Sequence, residues 1–125
     1  MDVIHTAIWV SDLDEATAFF VDALGLDEHR SGVVGGVENV WVGGEGEAEL
    51  QLRYADDHDF ERTGRDVVDH VAISVEDVDA EVDRLVAETG CAVLEEPRDG
   101  ESAPVRVAFI EGPDGYAVEL VEDTS

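Results

Sequence analysis

Two histidines, a glutamate and a glutamine are the residues of this chain whose types and placement could do chemistry. His5 opens "HTAIWVSDLDEATAFF" and His70 opens "HVAISVEDVDAEVDRL". Laid over each other at a constant offset of 65, the two stretches agree at six positions. Each copy ends in an alternating segment, "AELQL" (48–52) and "YAVEL" (116–120), in which Gln51 and Glu119 hold equivalent places. Two imidazoles, a carboxylate and an amide oxygen form a donor set suited to a divalent cation, with positions left open for water or substrate. Each residue has a plainer competitor. A histidine can sit hydrogen-bonded within a sheet. A carboxylate in "AVELV" is costly unless paired or bound to a cation, and Arg53 or Arg106 could pair with Glu119. The repeat favours ligation, because it places all four at matching points of two copies of one unit.

The elements that must position these residues read alike in both copies. A strand comes first, Val3–Val10 and Asp69–Val75. An aspartate, Asp12 or Asp77, then caps a helix. The helices, Leu13–Leu24 and Val78–Thr89, carry apolar residues at helical spacing: Ala16, Phe19, Phe20 and Ala23 in one, Val78, Val82, Leu85 and Val86 in the other. Gly25 and Gly90 end them. Three strands follow in each copy, at 28–32, 37–42 and 47–54, then at 92–95, 105–111 and 116–121, with turns at "GGEG" (43–46) and "GPDG" (112–115). The fold class is therefore α+β, with two βαβββ modules, 1–56 and 67–125, forming one domain over 1–125. Side by side, their mixed sheets would curl into an open cup. Strand alternation turns His5, Ala7 and Trp9 toward the cup, with Glu49, Gln51 and Arg53, and His70, Ala72, Ser74, Ala117, Glu119 and Val121 from the second copy. Ile4, Thr6, Ile8 and Val10 face the helix. Trp9 and Arg53 line the substrate pocket, and Trp41 adds to its apolar wall.

Bulk composition narrows the partners. The 125 residues hold 32 acidic side chains against seven basic ones, a net charge of −25, and all seven basic residues are arginines. Such a charge repels itself in dilute buffer. At molar salt the screening length falls to roughly 3 Å and the repulsion fades. The expectation is a cytoplasmic protein of a salt-filled cell. Nucleic acid and anionic membranes are excluded as partners, since both require positive patches. Cys91 is the only cysteine, so no intrachain disulfide can form; a small buried residue is expected there. His29 and His58 are read as solvated loop residues, "ADDHD" (55–59) as an acidic linker, and Arg98 as part of a surface loop at 95–104.

Three segments, "HTAIWVSDLDEATAFFVDALGL" (5–26), "DHVAISVEDVDA" (69–80) and "EGPDGYAVELVE" (111–122), resemble the vicinal oxygen chelate superfamily. That superfamily includes glyoxalase I (lactoylglutathione lyase), extradiol dioxygenases and bleomycin-resistance-type binding proteins. The likeness covers nearly the whole chain and is closest to the short lactoylglutathione lyases. It implies a glyoxalase-like fold, a homodimer, a small-molecule substrate, and metal ligands at His5, Gln51, His70 and Glu119. The metal implied is nickel, cobalt, zinc or manganese. Three positions depart from the family's pattern. Gln51 stands where some of these enzymes carry glutamate. Trp9 stands where the glutathione-using enzymes tend to have arginine, and Ala55 where asparagine is usual. The last two argue against glutathione as the thiol.

The resemblance implies isomerisation of a hemithioacetal made from a 2-oxoaldehyde and a small thiol. Glu119 is the catalytic acid–base residue, because an amide at Gln51 cannot carry a proton. Two alternatives use the same surface. His5, His70 and Glu119 form a two-histidine, one-carboxylate set that suits Fe(II) in an extradiol dioxygenase. A metal-free binding or resistance protein would use the cup as an apolar pocket.

Overall fold

The computed structural model describes residues 4–46, 48–57, 68, 70–101 and 104–125. His58, Arg62, Arg65 and most of the linker between the two copies, 55–66, lie outside the described residues.

The first copy begins with β1 (His5–Trp9) and α1 (Leu13–Ala18). Asp12 caps α1 as the sequence predicts, its carboxylate accepting from the Glu15 N–H at 2.9 Å. The expected single helix to Leu24 is in fact two pieces, since α1 passes into a π-helical segment at Phe19–Ala23. The wider turn lets the neighbours Phe19 and Phe20 both be buried, their rings meeting edge to face. β2 (Asp27–Val34) and β3 (Val37–Gly43) follow, and β4 (Glu49–Tyr54) completes a sheet ordered β1-β4-β3-β2. Gly35 and Gly36 join β2 to β3, both at positive φ, which a two-residue hairpin turn with the proper twist requires.

The second copy repeats the plan. β5 (His70–Ser74) leads to α2 (Val78–Thr89), then β6 (Val93–Asp99), β7 (Val105–Glu111) and β8 (Ala117–Asp123), with sheet order β5-β8-β7-β6. Asp77 caps α2 by accepting from the Ala80 N–H at 3.1 Å. Gly90, at φ 71, closes it in the left-handed conformation that glycine adopts without strain. β6 runs four residues past its predicted end at Glu95, through Pro97. Irregularities in its pairing with β7 between Val93 and Arg98 absorb a residue that has no N–H to donate. Arg98 is therefore a strand residue, and it pairs with Glu95 at 3.5 Å.

The chain divides into two compact units, Met1–Glu61 and Arg62–Ser125. In each, the first strand pairs in parallel with the last, and the other pairings are antiparallel. The helix covers one face of its sheet: α1 lies on β3 and β4, and α2 on β6, β7 and β8. In the first unit Ile8, Val10, Phe20, Val42 and Leu52 are buried; in the second Val78, Leu85, Ile110, Val118 and Leu120 are. Ile4 lies outside this layer and is 60% exposed. Val86 and Cys91, both expected inside, are partly exposed. No helix among the described residues is long and apolar enough to cross a membrane.

Candidate functional site

In the first unit, β1 places Ala7 opposite Gln51 and Trp9 opposite Arg53. β3 places Trp41 opposite Gln51 and Asn39 opposite Arg53. Paired positions point the same way from a sheet, so His5, Trp9, Asn39, Trp41, Gln51 and Arg53 share one face. Asn39 is the buried polar residue at its centre, 2% exposed. Its Oδ1 accepts from Gln51 Nε2 at 2.9 Å and from Arg53 Nε at 3.1 Å, while its Nδ2 donates to the Val37 carbonyl at 3.0 Å.

That network fixes which way the amides point. Arg53 Nε can only donate, so the atom of Asn39 facing it is the oxygen. Gln51 must then present its NH₂ group to the same oxygen, which leaves Oε1 as its remaining acceptor. Arg53 is held a second way, with its guanidinium carbon 4.8 Å above the Trp9 ring.

A second cluster on this unit involves Glu49, the residue opposite His5. His29 Nδ1 lies 2.6 Å from Glu49 Oε2 and His29 Nε2 lies 3.2 Å from the Gly44 carbonyl. Arg30 donates to both Glu49 oxygens at 3.0–3.1 Å and stacks 4.5 Å over Trp41. His29 is thus engaged rather than merely solvated. With acceptors at both ring nitrogens, the imidazolium is the form that fits. The hydrogen bond to Glu49 raises the His29 pKa above its ordinary 6.5, and the same bond lowers that of Glu49 below 4.5. The histidine's contribution is full below pH 6.5 and is lost as pH climbs through the raised value. The glutamate's is full above pH 4.5 and is lost as pH falls through the lowered value. In thermal melts, the loss from His29→Gln relative to the parent should therefore be largest just below pH 6.5 and shrink as pH rises through the raised His29 value. A gap that widens with rising pH would contradict this reading.

In the second unit, β8 places Glu119 opposite Ala72 of β5 and Phe109 of β7. His70, two residues before Ala72, shares that face. His70 Nε2 stands 3.6 Å from Glu119 Oε1, and the ring meets Phe109 edge to face with centroids 5.8 Å apart. Arg106, the competing partner for Glu119, is instead engaged by Asp79 at 2.6 Å and Asp99 at 3.2 Å. The structure therefore brings His70 and Glu119 together, and it puts His5 on one face with Gln51, Trp9 and Arg53.

Within each unit the donor types suit a divalent cation of the kind the family implies: an imidazole and an amide oxygen turned away from its hydrogen-bonded nitrogen in the first, an imidazole beside a carboxylate in the second. A different acidic cluster, Asp77, Asp79 and Glu122, has ligand atoms within 4.8 Å of one another. Its groups are already engaged at the start of α2. Asp77 and Glu122 accept from the Ala80 and Val78 N–H groups, and Asp79 binds Arg106, which depresses the Asp79 pKa. Carboxylates there satisfy orphan N–H groups and the helix dipole.

Sequence reasoning placed Glu49 on this surface but missed Asn39, His29 and Arg30 as parts of it. The alternation of buried Val40 and Val42 with Asn39 and Trp41 in "VENVWVGG" was the available signal for Asn39.

Two sheets of this topology, each with a capped helix between its first and second strands and polar strand-face residues at equivalent positions, define a glyoxalase-type fold. The chain belongs to the Glyoxalase/Bleomycin resistance protein/Dioxygenase superfamily, whose family model matches residues 3–120. Among its relatives, a lactoylglutathione lyase of Haemophilus influenzae is 32% identical, the match covering 100% of this chain and 95% of that protein. Glyoxalase I from Zea mays superposes with a TM-score of 0.80 at 23% identity over 98% of this chain, which spans only 45% of the maize chain. TnmS3, an antibiotic binding protein from Streptomyces sp. CB03234, superposes with a TM-score of 0.78 at 26% identity, covering 98% of this chain and 96% of that one.

Proposed function

We propose that this protein is a divalent-metal-dependent, glyoxalase I-like isomerase acting on the hemithioacetal of a 2-oxoaldehyde and a small thiol. The observation that carries the reading is the His70–Glu119 pair, an imidazole 3.6 Å from a strand-borne carboxylate. The likeness to a lactoylglutathione lyase supports it. In this reading His5, His70, Gln51 through Oε1, and Glu119 together hold the cation, nickel, cobalt, zinc or manganese. When bound, the cation polarises the substrate oxygens and acidifies the C–H beside the carbonyl. Glu119 accepts that proton and returns it to the neighbouring carbon. Gln51 holds position and takes no part in proton transfer. Trp9 and Ala55 disfavour glutathione, so the thiol is a different one. The enzyme acts as a homodimer in the cytoplasm, with one domain formed by both units.

The test is metal content after equilibration with each divalent ion at molar salt, on the parent and on His70→Ala. Stoichiometric metal in the parent and its loss in the variant is the expected result. Stoichiometric Fe(II), with turnover of catechols in oxygen, would replace the isomerase by a dioxygenase. Failure to bind any metal would sink both. A second reading, a metal-free binding protein, would then stand on the two arginine–tryptophan stacks, Arg53 on Trp9 and Arg30 on Trp41, a surface suited to flat, polar small molecules.

A further inference from the structure

Arg53 stands apart from the other described arginines. Arg30 pairs with Glu49, Arg84 with Glu81 and Glu88, Arg98 with Glu95, and Arg106 with Asp79 and Asp99. Among the described residues, Arg53 has no carboxylate within ion-pair distance; its partners are the neutral Asn39 amide and the Trp9 ring. In a chain with 32 acidic residues and seven arginines, a cation with no acid partner among the described residues needs a reason. Its surroundings are ordered for a purpose as well. The Nε–H is bound to a buried asparagine that is itself anchored on the Val37 carbonyl. The guanidinium carbon stands over the Trp9 indole, which limits the rotamers an arginine would otherwise sample. What remains is the outer edge, with the NH1 and NH2 donors in the fork geometry that matches a carboxylate.

Position gives the ligand its shape. Arg53 and Gln51 are two residues apart on β4, so they point from the same face about 7 Å apart. An anion on Arg53 therefore belongs to the same small molecule that reaches Gln51, and its charge lies a few bonds from the reacting carbons. Elsewhere a net charge of −25 opposes any anionic ligand. Arg53 supplies the local attraction that such a ligand requires.

We propose that Arg53, posed by Trp9 and Asn39, is a carboxylate seat, and that the thiol component of the substrate carries a carboxylate a few bonds from its sulfur. The inference rests on the isomerase reading for the identity of the ligand, but the seat can be tested without turnover. The probes are the methylglyoxal hemithioacetals of 3-mercaptopropionate and of 3-mercaptopropanamide, which differ in charge and hardly in size. For the metal-loaded parent, kcat/KM is expected to favour the carboxylate by about tenfold, the scale of one charge-assisted hydrogen-bonded contact at a half-exposed site. In Arg53→Met the ratio should fall to near one. Because the ratio is taken within one variant, a general loss of activity cancels. Arg53→Gln, which can still donate to Asn39, serves if Arg53→Met does not fold. A parent without the preference, or a variant that keeps it, overturns the proposal. If neither hemithioacetal is turned over, the isomerase reading fails, and calorimetric binding of 3-(methylthio)propionate against 3-(methylthio)propanamide decides on the seat. Tighter binding of the acid, lost in the variant, supports it; equal binding of the two overturns it.

Discussion

Replacing Glu119 by glutamine is expected to lower kcat on the hemithioacetal by roughly 10²–10⁴-fold, the usual contribution of a placed acid–base group. The isosteric amide keeps volume and one oxygen donor but cannot accept the proton. The expectation is sharpened by Gln51: the equivalent position in the other repeat already holds an amide, so no second carboxylate stands there to take over. KM should change much less than kcat, because the oxygen that helps bind remains. The check is steady-state kinetics on metal-loaded parent and variant at molar salt, with metal content measured in both. Unchanged turnover in a variant that retains its metal would remove Glu119 from the chemistry.

The second large effect is on stability. Leu120 is fully buried, and its strand, β8, lies between β5 and β7 with Leu120 opposite Ile73 and Ala108. Leu120→Ala is expected to cost about 2–5 kcal/mol, from lost transfer free energy and the cavity left in a layer that cannot fully collapse. Against a total stability of roughly 5–15 kcal/mol, that would move the denaturation midpoint far enough to read directly in chemical unfolding at molar salt. Leu120 faces the helix while its neighbour Glu119 faces the opposite way, so the variant should retain the metal ligands in its folded fraction. A cost below about 1 kcal/mol would mean that the site relaxes around the missing atoms.

How much of this was legible in the sequence depended on the range of the interaction. The caps at Asp12 and Asp77, the terminating Gly90 and the apolar stripe of α2 are set by residues a few positions apart, and they could be read locally. The repeat then carried the topology, because two copies of one pattern imply two copies of one sheet. His70 and Glu119 were placed on one face by alternation alone. What escaped depended on pairing across strands or on a break in period. His29 and Arg30 are adjacent, so strict alternation sends them to opposite faces. The irregularity in the β2–β3 pairing between Glu28 and Arg30 lets both reach Glu49. Asn39 was missed because its role exists only once β3 is registered against β4. The π-helical segment and the extension of β6 through Pro97 are likewise departures from ideal period, invisible to a reading that assumes it.

The strand order also constrains the sequence in which the chain can assemble. Among the described strands β1 pairs with β4 alone and β5 with β8 alone, so the strand bearing each histidine is made first and finds its neighbour last. The antiparallel meander of three later strands closes through short connections and low loop entropy. The leading strand must wait on its helix until the meander presents an edge. During synthesis, His5 therefore has no strand partner until Glu49 has left the ribosome, and His70 none until Ala117 has. A nascent chain stopped short of Glu49 would have its first strand exposed without a partner, which makes completion of β4 the step that commits the first half of the protein to its fold.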